Sequence, residues 1–153
     1  MNIDNLINQI MAGGNMSSLL LAGRETVIYF DSSDMKGCRR FYIDTDSDVG
    51  VYKINSNINS NEEDESDYLF DREDAIVKLY NLTGFDIDSV SLINNVDLKI
   101  NINDFVILIK PQCQEVNNNT YCDSWSLITE KDSGSKNWVA QVSGDEVLIN
   151  EDI

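Results

Sequence analysis

Apolar residues recur every three or four positions at the start of the chain. They are Ile3, Leu6, Ile7, Ile10 and Met11. This spacing places side chains on one face of an α-helix, so we expect a short amphipathic helix from about residue 4 to residue 12. The glycine pair at 13–14 ends the helix. The stretch MSSLLL at 16–21 either extends this helix or packs as a loop.

Three stretches in the first third of the chain have the β-branched and aromatic composition that is typical of strands. The first, ETVIYF, covers residues 25–30 and is followed by the turn-rich sequence DSSDMKG. The other two, RFYID at 40–44 and VGVYKI at 49–54, flank the acidic sequence DTDSD. The short connection predicts that these two strands pair as a β-hairpin.

A second helix is predicted to begin after Asp71, whose carboxylate can accept hydrogen bonds from the free N–H groups of a first turn. Glu73 and Asp74 also favour the positive end of a helix. The apolar stripe that follows consists of Ala75, Ile76, Leu79 and Tyr80. Gly84 is a natural stop for this central helix.

The second half of the chain has the pattern of β-strands. Apolar and polar residues alternate from 96 to 102, and an unbroken apolar run at 105–109 indicates a central strand that ends at Pro111. Three further strands are separated by the turn sequences KDSGSK and SGD. They are WSLITE at 125–130, NWVAQV at 137–142 and EVLI at 146–149. These last strands predict a C-terminal β-meander.

Together the elements predict a single α+β domain over residues 1–153, with antiparallel β-sheets, a C-terminal β-meander, one central helix and a short N-terminal helix. A chain of 153 residues is long enough to bury one core. The segment 55–74 separates the two strand-rich halves and holds eight carboxylates against Arg72. We expect a flexible acidic loop at 55–70.

The charge balance restricts the partners of this chain. Its 27 acidic and 11 basic residues give a formal net charge of −16. Direct binding of nucleic acid is disfavoured, since neutralising phosphates requires Lys and Arg side chains. Anionic membranes are disfavoured for the same reason, whereas encounters with basic proteins are favoured.

The N-terminal sequence has no basic region before its apolar runs, and these runs are short, so we expect neither a signal peptide nor a transmembrane span. Three cysteines, Cys38, Cys113 and Cys122, cannot all pair within one chain. A reduced cytoplasmic setting fits this odd number best. A bridge between Cys113 and Cys122 is the alternative in an oxidising compartment.

The sequence offers little support for catalysis. It contains no histidine, which removes the general base of the common nucleophilic schemes and the imidazole ligands of most zinc sites. Neither GxxxxGK[ST] nor GxGxxG occurs, so phosphate-cradling loops have no support. We predict that the chain is not an enzyme and binds no cofactor.

The sequence DTDSDVG at 44–50 also resembles the opening of a calcium-binding loop, in which alternate carboxylates converge on the ion. The sixth and twelfth positions of such a loop require Gly and Glu, but Val49 and Asn55 stand there. A solvated turn is therefore favoured over a calcium site.

On an extended strand, Asp44, Asp46 and Asp48 would project to one side about 6.7 Å apart. This separation is close to two steps along a DNA strand, at roughly 3.4 Å each. These aspartates and the central acidic segment form the contact surface that we predict for a basic partner. The predicted contact residues are Asp44, Asp46, Asp48, Glu62, Glu63, Asp64, Glu65 and Asp67.

Four aromatic residues are candidate anchors for an interface, because buried aromatics often dominate binding energy. They are Phe105, Tyr121, Trp125 and Trp138. Aromatic residues on strands more often belong to the core, and this is what we expect for Phe105 and Trp125.

In size, charge and asparagine-rich composition the chain resembles the small acidic proteins that phages use against restriction or CRISPR systems, and also the immunity proteins of nuclease toxins. The resemblance extends over the whole chain and assigns no role to individual residues. It implies a non-enzymatic inhibitor that binds the basic nucleic-acid-binding surface of an enzyme or effector complex, by mimicry of nucleic acid or by steric block. The alternative is a structural or assembly protein, such as a virion component, whose acidity serves solubility.

Overall fold

The computed structural model of the protein describes residues 2–32, 38–54 and 72–150, which contain two helices and twelve strands. The first half comprises α1 (Ile3–Met11), β1 (Asn15–Ala22), β2 (Glu25–Asp31), β3 (Cys38–Thr45), β4 (Val49–Lys53) and α2 (Arg72–Asn81). The second half comprises β5 (Ile87–Ile93), β6 (Asp97–Ile102), β7 (Phe105–Ile109), β8 (Cys113–Val116), β9 (Asn119–Cys122), β10 (Trp125–Lys131), β11 (Lys136–Ser143) and β12 (Glu146–Ile149).

The strands form three antiparallel sheets in the described part of the chain. The largest has the order β1-β2-β3-β10-β11-β12, the second has the order β4-β7-β6-β5, and β8 pairs only with β9. One cluster of buried side chains includes residues from both larger sheets and from both helices. The α+β class, the two helices and the C-terminal meander of β10, β11 and β12 are therefore confirmed.

Aromatic residues occupy the part of the core beside the six-stranded sheet. Phe30 on β2 stacks against Phe41 on β3 with ring centroids 5.1 Å apart, and both side chains are fully buried. Trp125 on β10 is also fully buried and donates its indole N–H to the carbonyl of Val96 at 2.7 Å. The prediction that Trp125 belongs to the core is confirmed. Phe105 is partly buried and packs against the same core.

Helix α1 covers the outer edge of β5. The carboxylate of Asp4 accepts a hydrogen bond from the N–H of Leu92 at 2.7 Å, and the amide oxygen of Asn8 accepts one from the N–H of Val90 at 2.8 Å. Four residues advance a helix by about 6 Å, which is close to the advance of two residues along a strand. One helix face thus satisfies two successive free N–H groups of an edge strand, which protects this edge from pairing with other chains.

The region of β1 was predicted incorrectly. Residues 16–21 neither extend α1 nor form a loop, but pair with β2 from Asn15 opposite Asp31 to Ala22 opposite Glu25. The chain after α2 also contacts β1, because the N–H of Gly84 donates to the carbonyl of Met16 at 2.7 Å. The run NMSSLLLA lacks strand-like alternation because only part of it faces the core.

The predicted hairpin between residues 40–44 and 49–54 is wrong. Strand β3 pairs with β2 and β10, whereas β4 pairs with β7 in the other sheet. The short connection crosses from one sheet to the other because both strands bury apolar side chains in the shared core. The predicted flexible loop at 55–70 and the predicted cap Asp71 lie outside the described residues. Neither described helix is long and apolar enough to span a membrane.

Candidate partner-binding site

The crossover between β3 and β4 carries three of the predicted contact residues. Asp44 is half-buried near the end of β3, whereas Asp46 and Asp48 are exposed on the loop that follows. The strand ends at Thr45. The proposed row of three carboxylates at regular strand spacing is therefore wrong, because only Asp44 lies on a strand.

Hydrogen bonds to Ser124 hold this crossover loop against the chain that precedes β10. The carboxylate of Asp46 accepts from the N–H of Ser124 at 2.8 Å, and the hydroxyl of Thr45 donates to the carbonyl of Ser124, also at 2.8 Å. The hydroxyl of Thr45 also accepts from the N–H of Ser47 at 3.0 Å. Asp46 is thus exposed and also helps to hold the crossover loop in place.

Asp44 forms a carboxyl pair with Glu25 at the start of β2. Burial raises the pKa of Asp44 to about 6, and the hydrogen bond to Glu25 and the negative charges of Glu25 and Asp46 act in the same direction. Two carboxyl groups that share a hydrogen bond hold one proton more readily than two separate ones. Asp44 therefore loses part of its charge below about pH 6.

A small cavity of about 80 Å³ lies beside the crossover loop, between the start of α2 and the turn that joins β1 to β2. The charged residues that line it are Arg24, Asp46, Asp48, Arg72 and Asp123. Three carboxylates therefore face two guanidinium groups, so this end of the molecule is mixed in charge. Sequence reasoning missed Arg24, Arg72 and Asp123, since only the tertiary fold brings them to the crossover loop.

The other five predicted contact residues lie outside the described part of the chain. They are Glu62, Glu63, Asp64, Glu65 and Asp67. The described chain resumes at Arg72, which lines the same cavity as Asp46 and Asp48.

Metal binding at the crossover loop finds no support. Within residues 2–32, 38–54 and 72–150, no three His, Cys, Asp or Glu side chains form a group that could hold a metal ion.

A disulfide-closed hairpin, formed by β8 and β9, follows the four-stranded sheet and precedes β10. Cys113 bonds to Cys122, and the N–H of Asp123 donates to the carbonyl of Gln112 at 2.9 Å. The tip residues Asn117 and Asn118 have φ values of 53° and 66°, which are typical of the two central residues of a type I′ turn. The sequence left the Cys113–Cys122 bridge as an alternative to reduced cysteines. The structure contains the bridge.

All eight strand residues of this hairpin are exposed. Val116 and Tyr121 have exposed fractions of 45% and 56%, which are high for apolar side chains. Of the four candidate aromatic anchors, Tyr121 is thus the one with a largely exposed side chain, while Trp138 is half-buried.

The outer face of the six-stranded sheet carries aromatic residues. Charged side chains of the same sheet lie over their rings. The rings of Tyr29 and Tyr42 lie 5.1 Å apart, the Arg40 guanidinium lies 4.8 Å from the Tyr29 ring centroid, and the Lys136 ammonium lies 5.8 Å from that of Tyr42. Arg40 also forms an ion pair with Glu130. The aromatic rings and the charged side chains of this face therefore contact one another.

Comparison of the chain with models of protein families, with curated proteins and with solved structures found no match in any of the three.

Proposed function

We propose that this chain is a non-enzymatic acidic inhibitor that binds the basic nucleic-acid-binding surface of a partner protein. The observation that carries the proposal is the net charge of −16 in a chain without histidine. Such a surplus repels nucleic acid and attracts basic surfaces. The resemblance in size, charge and composition to phage anti-restriction and anti-CRISPR proteins and to nuclease immunity proteins supports the same class.

The crossover end of the molecule is the proposed contact surface. Asp46 and Asp48 are exposed there, next to Asp123 and to the point where the chain resumes after its acidic segment. The aspartates lack the regular spacing of a phosphate strand, because β3 ends at Thr45. Steric block of a basic surface therefore fits this arrangement better than close mimicry of a nucleic-acid backbone.

Charge steers such a complex mainly through its association rate, and salt screens this steering. We expect affinity capture from host extract at low salt to retain a basic nucleic-acid-binding protein that is released as the salt concentration rises. Failure to retain any protein at low salt, or retention of an acidic partner, would contradict the proposal.

Charge-reversal variants locate the contact surface. Changing Asp48, Glu62 and Glu63 to Lys raises the net charge by six, from −16 to −10, since each change adds two. Changing Asp31, Asp88 and Asp132 to Lys adds the same charge. The strand registers place these three exposed residues toward the opposite end of the sheets. We expect the first variant to weaken binding more than the second, by a factor that shrinks with salt. Equal losses of affinity in the two variants would show that the interface lies elsewhere.

A cytoplasmic location is part of the proposal, because the nucleic-acid enzymes that such an inhibitor would block are there. In the reducing cytoplasm the glutathione pool would favour reduction of the exposed Cys113–Cys122 disulfide, so the state of this bond in the cell decides whether the hairpin is covalently closed there. Thiol trapping in intact cells, followed by mass analysis of the peptide that contains both cysteines, measures its state directly.

A structural or assembly protein is the second candidate function. It is favoured by exposed apolar residues on α2, where Val77 and Tyr80 have exposed fractions of 60% and 69%. Sedimentation of the purified chain distinguishes the candidates, since a closed or filamentous oligomer supports assembly and a monomer supports the inhibitor.

A further inference from the structure

The Cys113–Cys122 hairpin contributes little to the packed core. Within the described chain, the residues of β8 and β9 contact one another far more than any other element, and all of them are exposed. An isolated two-stranded hairpin is only marginally stable in water. The disulfide restricts the open forms of this hairpin and so favours the paired one.

One face of this hairpin carries both of its exposed apolar side chains, beside the amide side chains of Gln114 and Asn119. Tyr121 lies opposite Gln114, and Val116 lies opposite Asn119, so the two apolar side chains are diagonal neighbours on the same face. The other face carries Glu115, Thr120 and the disulfide. An apolar pair on a covalently closed support loses little conformational freedom when it is buried in a partner.

The foot of the hairpin adjoins the proposed contact surface. Asp123 follows Cys122 directly and lines the same cavity as Asp46 and Asp48. The next residue, Ser124, donates its N–H to Asp46. Two exposed apolar side chains therefore lie on a hairpin whose foot adjoins exposed carboxylates. Binding sites commonly combine apolar anchors that lose their water with a charged rim.

We propose that this hairpin anchors the complex by inserting Tyr121 and Val116 into an apolar cleft that borders the basic surface of the partner. The inference rests on the proposed function and assigns separate roles to the carboxylates and to the hairpin. The carboxylates accelerate association, while the hairpin slows dissociation. The partner that fits is a basic nucleic-acid-binding protein with an apolar cleft next to its charged surface.

The test measures dissociation of immobilised wild-type and variant chains from the protein that the wild type retains at low salt. The variant Val116→Ser with Tyr121→Ser removes both exposed apolar side chains of the hairpin and should dissociate about tenfold faster or more, with a nearly unchanged association rate. The control variant Val77→Ser with Tyr80→Ser removes an exposed apolar pair from α2 and should dissociate like the wild type. Thermal melting of all three chains verifies that the core is intact.

A second experiment tests whether the disulfide is needed for slow dissociation. Dithiothreitol reduces it to two thiols and is itself oxidised to a cyclic disulfide, and the double variant Cys113→Ser with Cys122→Ser mimics the reduced state. We expect both to accelerate dissociation, while Cys38→Ser does not. Unchanged dissociation of the hairpin variants, or equal acceleration by the α2 control, would overturn the inference and leave the proposed function standing. Failure of the wild type to retain any protein would overturn both.

Discussion

Gly14 lies where the chain passes from α1 to β1, directly over the stacked aromatic pair. A Cβ atom at this position would lie 2.5 Å from Cζ and 2.8 Å from Cε1 of Phe41. Phe41 is fully buried and stacks against Phe30. A single hydrogen atom in place of a side chain thus allows the aromatic pair to form the core beside the helix.

We expect Gly14→Ala to lower the free energy of unfolding by about 1–3 kcal/mol, because it overpacks the core. Denaturant unfolding measures the change. The same substitution in a Phe41→Leu background should cost clearly less, since the smaller side chain leaves room for the methyl group. Equal costs in both backgrounds would show that contact with Phe41 is not the cause.

Asp44 gives the stability of the protein a defined pH dependence. Burial and the neighbouring Glu25 raise its folded-state pKa from 3.8 to about 6. The folded protein therefore binds this proton more tightly than the unfolded chain does. The contribution of Asp44 to stability is fully present below pH 3.8 and is lost as the pH rises through about 6.

We expect Asp44→Asn to flatten the pH dependence of stability between about pH 4 and pH 6, because this variant cannot titrate. Thermal melting over that range, compared with wild type, measures the effect. An identical slope in wild type and Asp44→Asn would contradict the assignment.

At the scale of the element, local sequence patterns were sufficient to predict a strand or helix that has one buried face. The periodicity of α1 and the alternation of β6 follow from packing against a core on one side. On α2 the predicted apolar stripe is only partly right, because Ala75 and Leu79 are buried whereas Tyr80 is exposed. The β8–β9 hairpin has no buried face, so its sequence has no alternation that could predict it. The partner of β3 was also beyond prediction, since the choice between β4 and β10 is made by the core as a whole.

The protection of the β5 edge by α1 gives an element-scale prediction. Asp4→Ala and Asn8→Ala each leave a strand N–H without its side-chain acceptor, and we expect each to cost about 1–2 kcal/mol of unfolding free energy. Asn5→Ala changes an exposed residue of the same helix and should have little effect. Hydrogen exchange at Leu92 and Val90 gives the local measure, and unchanged exchange in the first two variants would contradict the role of α1.

At the scale of the whole molecule, the crossover end combines features that are far apart in the sequence. Asp46 and Asp48 could be proposed from the sequence as exposed acidic residues, and the structure agrees on their exposure. Arg24, Arg72 and Asp123 join them only through the fold, because they come from the β1–β2 turn, α2 and the foot of the hairpin. Charge alone thus led to the class of partner that we propose, whereas the shape of the proposed contact surface required the tertiary structure.

Competition with nucleic acid tests whether the chain occupies the nucleic-acid-binding surface of its partner. The partner retained by the chain is mixed with a labelled oligonucleotide that it binds, and the chain is added in increasing amounts at constant salt. We predict that the chain displaces the oligonucleotide completely, because both occupy one basic surface. A ternary complex in which the partner holds the chain and the oligonucleotide together would contradict the account.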